Sequence, residues 1–212
     1  CCTGATARRR LAEGRRMSEG EGIWAQPLAD FRASAAADKP TPGCGAAAAV
    51  TADIGLALVV KGLRISEAHD ANPSRRQLLQ AAEALLGRPG TFAEDDMQAF
   101  SDYLRAARDG GAEDKQAAAR QACAVPLALA HCCLEALELA VDAWPLTDPN
   151  VQSDVQAGAV LIHAGLSAAL INVDADMPSL DSGATREQAG QTRRRLQSEG
   201  DDLLRRLADP GR

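Results

Sequence analysis

The chain has 212 residues, 46% of them hydrophobic, which suits one domain with a real core and excludes global disorder. Its formal net charge of -6 supplies no basic face for a nucleic acid, and the segment nearest to a membrane span, 43–60, is interrupted by Thr51, Asp53 and glycines, so no bilayer crossing is expected. Aromatic residues are only 3% while alanines number 44, a composition for close-packed helices rather than sheet.

Residues 1–20 hold an Arg-rich, glycine-containing stretch without apolar periodicity and are expected to be a flexible N-terminal extension. Residues 21–212 then form one helical domain. Trp24, Leu28 and Phe31 share a helical face and predict a short helix over 24–38. The run Pro40-Thr41-Pro42-Gly43-Cys44-Gly45 reads as a tight turn, with Thr41 as N-cap and Pro42 in the first helical position, before an Ala-rich helix that ends near Leu63. Ser66 to Pro73 reads as a break. Ser74 then caps a helix over 74–87, which Gly87-Arg88-Pro89-Gly90 stops. Further helices follow over 92–108 and over 113–143, the latter broken or kinked at Pro126. In the helix over 151–172, Val151, Val155, Ala159, Ile162, Leu166, Leu170 and Val173 step by three and four. A polar helix over 185–208 comes last. The sequence thus predicts an all-α bundle of about six to seven helices.

The six cysteines do not outline a disulfide framework. Cys1–Cys2 and Cys132–Cys133 are adjacent, there is no C-x-x-C, and no Cys/His spacing suits zinc. Reduced packing cysteines, no metal site and a cytoplasmic setting are expected.

Several polar residues interrupt apolar faces. Asp96 lies on one stripe with Phe92, Phe100 and Tyr103, so its carboxylate projects from an apolar face. Burial there raises its pKa towards the range useful for general acid–base work, or else it is a structural hydrogen-bond acceptor. Asp154 stands in a helix first turn, where capping competes with a site role. Asp53 sits in the Ala-rich helix, either at an exposed edge or buried with a partner. His163 reads as a packing histidine, His69 as exposed, and Glu94 and Asp95 as solvated. The Gly43-Cys44-Gly45 turn offers backbone N–H groups to an anion.

Thr41-Pro42-Gly43-Cys44-Gly45-Ala46-Ala47-Ala48-Ala49 resembles the T-P-G-G-G-S-A-A-A signature of the formiminotransferase-cyclodeaminase family, in its cyclodeaminase/cyclohydrolase domain. Glu94-Asp95-Asp96-Met97-Gln98-Ala99-Phe100 resembles the family's D-x-D-A-x-A-F, and Pro149-Asn150-Val151-Gln152-Ser153-Asp154-Val155 its N-x-x-x-S-D-V. Val125-Pro126-Leu127 falls where the family carries V-P-L. The resemblance covers about residues 24–185.

The resemblance implies an all-helical, cyclodeaminase-like homodimer acting on a tetrahydrofolate one-carbon adduct, formimino- or methenyl-tetrahydrofolate, without a metal or redox cofactor. Asp96 matches the catalytic aspartate, Asp154 a motif aspartate near the folate pocket, and Gly43 and Gly45 the loop glycines. With Cys44, Asp53 and Asn172 these make up the expected substrate-binding set. The chain also departs from the pattern. Cys44 replaces a glycine, Asp53 a small apolar residue, and Asn172-Val173-Asp174-Ala175-Asp176 stands where the family has N-V-x-x-N. Basic positions have gone and acidic ones have appeared. Two rival readings follow: a ring-forming enzyme of specialised metabolism working on a cationic amine, and a non-catalytic helical partner of a second protein subunit.

Overall fold

The computed structural model of the chain describes residues 22–208, so the expected extension at 1–20 lies outside the described residues. Within them seven α-helices run in order: α1 (Leu28–Ala35), α2 (Cys44–His69), α3 (Pro73–Leu85), α4 (Arg88–Asp109), α5 (Ala112–Ala143), α6 (Gln152–Asp176) and α7 (Gly183–Ala208). Single 3-10 turns occur at Ile23–Ala25, Trp144–Leu146, Pro149–Val151 and Met177–Ser179. No strand is present among the described residues, as the composition predicts.

The centre of the bundle is the antiparallel pair of α2 and α6. A Cβ on Gly55 would run into the Gly158 carbonyl, and one on Gly165 into the Ala48 carbonyl and the Ala52 side chain. The absent side chains therefore let the two backbones touch. The expected stripe is the core from Val155 onward: Val155, Ala159, Ile162, Leu166, Leu170 and Val173 are fully buried, with Leu56, Val59 and Leu63 of α2, while Val151 lies in the 3-10 turn before α6 and is half-buried. Helix α7 closes on α6 where Gly200 lies against Leu166.

Five features differ from the sequence expectation. Helix α2 runs through Ser66 to His69, because Ser66 turns its hydroxyl back onto the Gly62 carbonyl and the Arg75 guanidinium donates to the terminal carbonyls of Ser66 and Asp70. Asn72, rather than Ser74, caps α3, accepting from the Ser74 and Arg75 N–H groups at 2.9 and 3.1 Å. Gly87, at φ 90°, provides the left-handed turn between α3 and α4, so Arg88-Pro89-Gly90 opens α4 instead of merely stopping α3. Helix α5 is continuous through Pro126, since proline removes only one helical hydrogen bond and the flanking residues are packed on α4 and α6. The first predicted helix shortens to α1, entered from Pro27.

One composition estimate is also corrected. Cys44–His69, Ala112–Leu146 and Pro149–Ser179 are each long and apolar enough, by length and composition, to cross a membrane. Alanine, glycine and valine make these helices apolar without bulk. In this fold they lie against one another.

Candidate active site

The site lies where α2 begins and α6 ends. Gly43 is extended and N-caps α2, so the helix starts at Cys44 rather than at Pro42. The first turn of α2 has no cap from its own segment. Asp96 of α4 provides it instead, accepting the Ala46 N–H on Oδ2 at 3.1 Å. The anion at this helix N-terminus is thus a side chain of the protein itself.

Asp96 is buried, 9% exposed. Its second oxygen, Oδ1, accepts from Asn172 Nδ2 at 3.0 Å. Burial pushes its pKa above the ordinary carboxylate value, and the Ala46 and Asn172 donors pull the other way. Gly45 makes room for it: a Cβ there would strike the Asp96 carboxylate. Asn172 also accepts the Cys44 thiol on its own Oδ1 at 3.3 Å, so one amide bridges α2 and α4. Burial and the Asp96 charge raise the Cys44 pKa, which keeps it a neutral thiol and a donor.

A cleft of about 140 Å³ opens beside this group. Pro40, Thr41, Gly43 and Cys44 form one wall, Asp96 and Phe100 of α4 a second, Ala122 of α5 a third, and Asn172 and Asp176 of α6 the last. Pro126 leaves the Ala122 carbonyl without its usual i+4 donor at this wall. Asp176 has its pKa pushed up to about 6 by burial and by the nearby Asp96 charge. Among the described residues no Lys, Arg or His lines the cleft. It therefore presents acceptors, and suits a group bearing N–H donors or positive charge.

Of the expected site residues, Asp96, Gly43, Cys44 and Asn172 line this cleft and Gly45 lies directly beneath Asp96. Two others stand apart. Asp53 is buried on α2 and accepts the Gly87 N–H at 2.8 Å, bracing the entry to α4. Asp154 pairs with Lys61 at 2.9 Å and sits eighteen residues, about 27 Å of helix, from Asn172. Asp176 belongs to the cleft and was legible only as a surplus acid; its spacing of four from Asn172 is the signal that places both on one face. Glu94, expected to be solvated, accepts the Ile23 N–H at 2.9 Å. His163 pairs with Asp201 at 2.7 Å, a packing role, and the exposed His69 with Asp148 at 3.2 Å. Cys123, Cys132 and Cys133 are buried free thiols. No cluster of three or more metal-ligating side chains occurs among the described residues.

These segments, in this order on one α2–α6 core with the first two meeting at the cleft, define a cyclodeaminase-type helical domain. The family model for formiminotransferase-cyclodeaminase matches residues 27–195, and the chain belongs to that family. It is 31% identical over 179 residues to a methenyltetrahydrofolate cyclohydrolase of Methylorubrum extorquens, covering 77% of this chain and 85% of that protein. It is 29% identical over 188 residues to the formimidoyltransferase-cyclodeaminase of Sus scrofa, covering 78% of this chain but spanning only 33% of that longer protein. Its fold matches that of a formiminotetrahydrofolate cyclodeaminase from Thermotoga maritima with a TM-score of 0.82 at 20% identity, covering 88% of this chain and 96% of the other.

Proposed function

We propose that this protein acts on a tetrahydrofolate one-carbon adduct, closing the formimino adduct to the 5,10-methenyl ring with release of ammonia, or opening the methenyl ring with water. The observation that carries this reading is Asp96, buried at the N-terminus of α2 and oriented by Ala46 and Asn172 at the wall of an acceptor-lined cleft. Both adducts present a cationic or donor-bearing carbon centre, which such a cleft complements. In the closing direction the N10 nitrogen attacks the formimino carbon and Asp96 takes its proton. The reaction exchanges one bond at carbon and moves protons, so positioning and acid–base chemistry suffice, without a redox cofactor. The family relationship and the cyclohydrolase relative support the substrate class.

The same proposal includes a homodimer. Ile54 of α2 and Val160 of α6 flank the Gly55–Gly158 crossing and are 41% and 50% exposed, and Ile171 further along α6 is 62% exposed. This leaves an apolar strip on the pair of helices that forms the core, suited to a second copy. The free cysteines fit a reducing, cytoplasmic setting. Mixing purified protein with each adduct and following the methenyl absorbance tests the function. Turnover of neither adduct overturns it. The pair of acids facing a cleft without any cation also fits a non-folate amine substrate, and binding of such an amine in place of folate would favour that second reading.

A further inference from the structure

We propose that Asp176 is a second catalytic acid–base residue, exchanging a proton with the nitrogen or oxygen that leaves or joins the one-carbon centre while Asp96 serves the ring nitrogen; this rests on the folate reading above. Asn172 and Asp176 lie one helical turn apart on α6 and both line the cleft, so the helix face that orients Asp96 also presents Asp176. The two carboxylates are held differently. Asp96 has a donor on each oxygen, from Ala46 and Asn172, which favours its charged form. Asp176 receives no hydrogen bond or ion pair among the described residues; burial and the Asp96 charge alone act on it, pushing it up to about 6. The donors on Asp96 and their absence on Asp176 thus favour the protonated form on Asp176.

The other groups facing Asp176 do not supply that proton. From α4 there is Asp96 itself. From α2 comes the Cys44 thiol and from α5 the Cys123 thiol, both held neutral, Cys123 pushed up to about 11. On its own helix Asp174 is engaged by Arg193 of α7 at 3.0 Å. Among the described residues the walls contribute no Lys, Arg or His.

In the deaminating direction the formimino group enters protonated, as an amidinium: the N10 lone pair forms a bond to its carbon while the C=N π pair moves onto the amino nitrogen, and the N10 proton passes to the Asp96 carboxylate. Asp176 gives its proton to the amino nitrogen. The C–N bond then breaks, its electron pair leaves with ammonia, and the 5,10-methenyl cation remains. Transfer of the proton from Asp96 to Asp176 resets the pair. With water as the entering group, Asp176 instead takes a proton as the C–O bond forms.

The test compares pH–rate profiles of the wild type and Asp176→Asn, with carbon NMR titration of the wild-type Asp176 carboxyl as a readout independent of turnover. Deamination by the wild type should fall as pH rises through about 6, whereas opening of the methenyl ring should rise through about 6. The variant should lose that limb and roughly 10²-fold in rate while its melting curve stays cooperative. Asp176→Glu should recover part of the rate. A variant within about twofold of wild type with an unchanged profile overturns the proposal, and so does a wild-type carboxyl that titrates near the ordinary value of about 4. Turnover of neither folate adduct by the wild type overturns the folate reading and this assignment together. Normal wild-type turnover with an undiminished variant overturns this assignment alone.

Discussion

Asp53 and Asp96 are exchanged between two helices: Asp53 of α2 accepts the N–H of Gly87 at the entry to α4, and Asp96 of α4 accepts the N–H of Ala46 in the first turn of α2. Each helix lends a carboxylate to the other's start, where unpartnered backbone donors and the helix dipole favour an anion. The two exchanges differ in what lies beyond them. Asp96 faces a cleft and Asp53 does not. One of these buried acids is thus a brace and the other is both a brace and a site residue.

Asp53→Ala should therefore act on stability. Removing the acceptor leaves the Gly87 N–H without a partner and opens a gap on α2, at a cost of about 1–3 kcal/mol. Turnover per folded molecule should stay within about twofold. Urea unfolding and assays at matched folded fraction measure the two effects. A variant of native stability that has lost activity would return Asp53 to the substrate-binding set.

Asp96→Asn keeps the shape and retains an oxygen for Ala46, but it abolishes the titrating proton and sets an amide donor against Asn172. Activity should drop by roughly 10²- to 10⁴-fold. The stability cost, from the disturbed buried hydrogen bond, should be about 1–3 kcal/mol. Steady-state kinetics beside a thermal melt separates the effects. Near-native turnover would remove Asp96 from catalysis and leave it as the cap of α2.

Gly45→Ala is the sharpest steric probe of the site. The new methyl would occupy the place of the Asp96 carboxylate, so either α4 moves away or the carboxylate rotates off Ala46. Overpacking of this kind costs about 1–3 kcal/mol. Because the displaced group is the proposed base, the rate should fall by at least about 10²-fold even where the variant folds. Gly183→Ala, at the start of α7 and away from the cleft, is the control, since a Cβ there meets nothing within 4 Å. A folded Gly45→Ala as active as that control would show that Asp96 need not keep its place on Ala46.

Periodicity made the α6 core readable from residues alone, since Val155 to Val173 repeats without interruption and every member is buried. The same reasoning placed Asp96 on an apolar face. It allowed a break at Pro126 that does not occur and ended α2 too early, because a proline or serine inside a helix is decided by neighbours distant in sequence, here α4, α6 and Arg75. It also assigned Asp53 and Asp154 to the site. An isolated acid on a helix gives no sign of whether its partner will be a backbone N–H, as for Asp53, or a lysine, as for Asp154 with Lys61. The cleft emerges only when the start of α2, the end of α6 and the sides of α4 and α5 converge, which no single stretch of sequence displays.

Val160→Glu tests the proposed pairing. A charge placed on the apolar strip beside Gly158 would be buried without a partner in an isologous interface, twice per dimer. Sedimentation or light scattering should show a dimer for the wild type and a monomer for the variant. Lys115→Glu, at an exposed position near the start of α5, should leave the mass unchanged. A monomeric wild type at micromolar concentration would remove the homodimer.

The pH dependence of stability carries a sign fixed by the cleft. Asp176 is raised to about 6 in the folded chain, while an unfolded aspartate titrates near about 4. Between these values the folded state binds more protons than the unfolded state. Stability is therefore fully present below about pH 4 for this group, declines as pH rises to about 6, and is level above it. Asp96 and Asp53, also raised by burial, act in the same direction. Glu67 and Asp148, lowered by hydrogen bonds from Asn72 and Asn150, act oppositely and weaken the fold only in stronger acid. Asp176→Asn should thus melt higher than wild type at pH 8. After discounting for solvent screening of a half-buried group, the gain is about 1 kcal/mol, or about 2–4 °C. The gain should shrink towards zero as the buffer approaches about pH 4. Scanning calorimetry of both proteins across this range measures it. A gain that is constant with pH would mean that the asparagine stabilises by packing and that Asp176 carries no displaced proton.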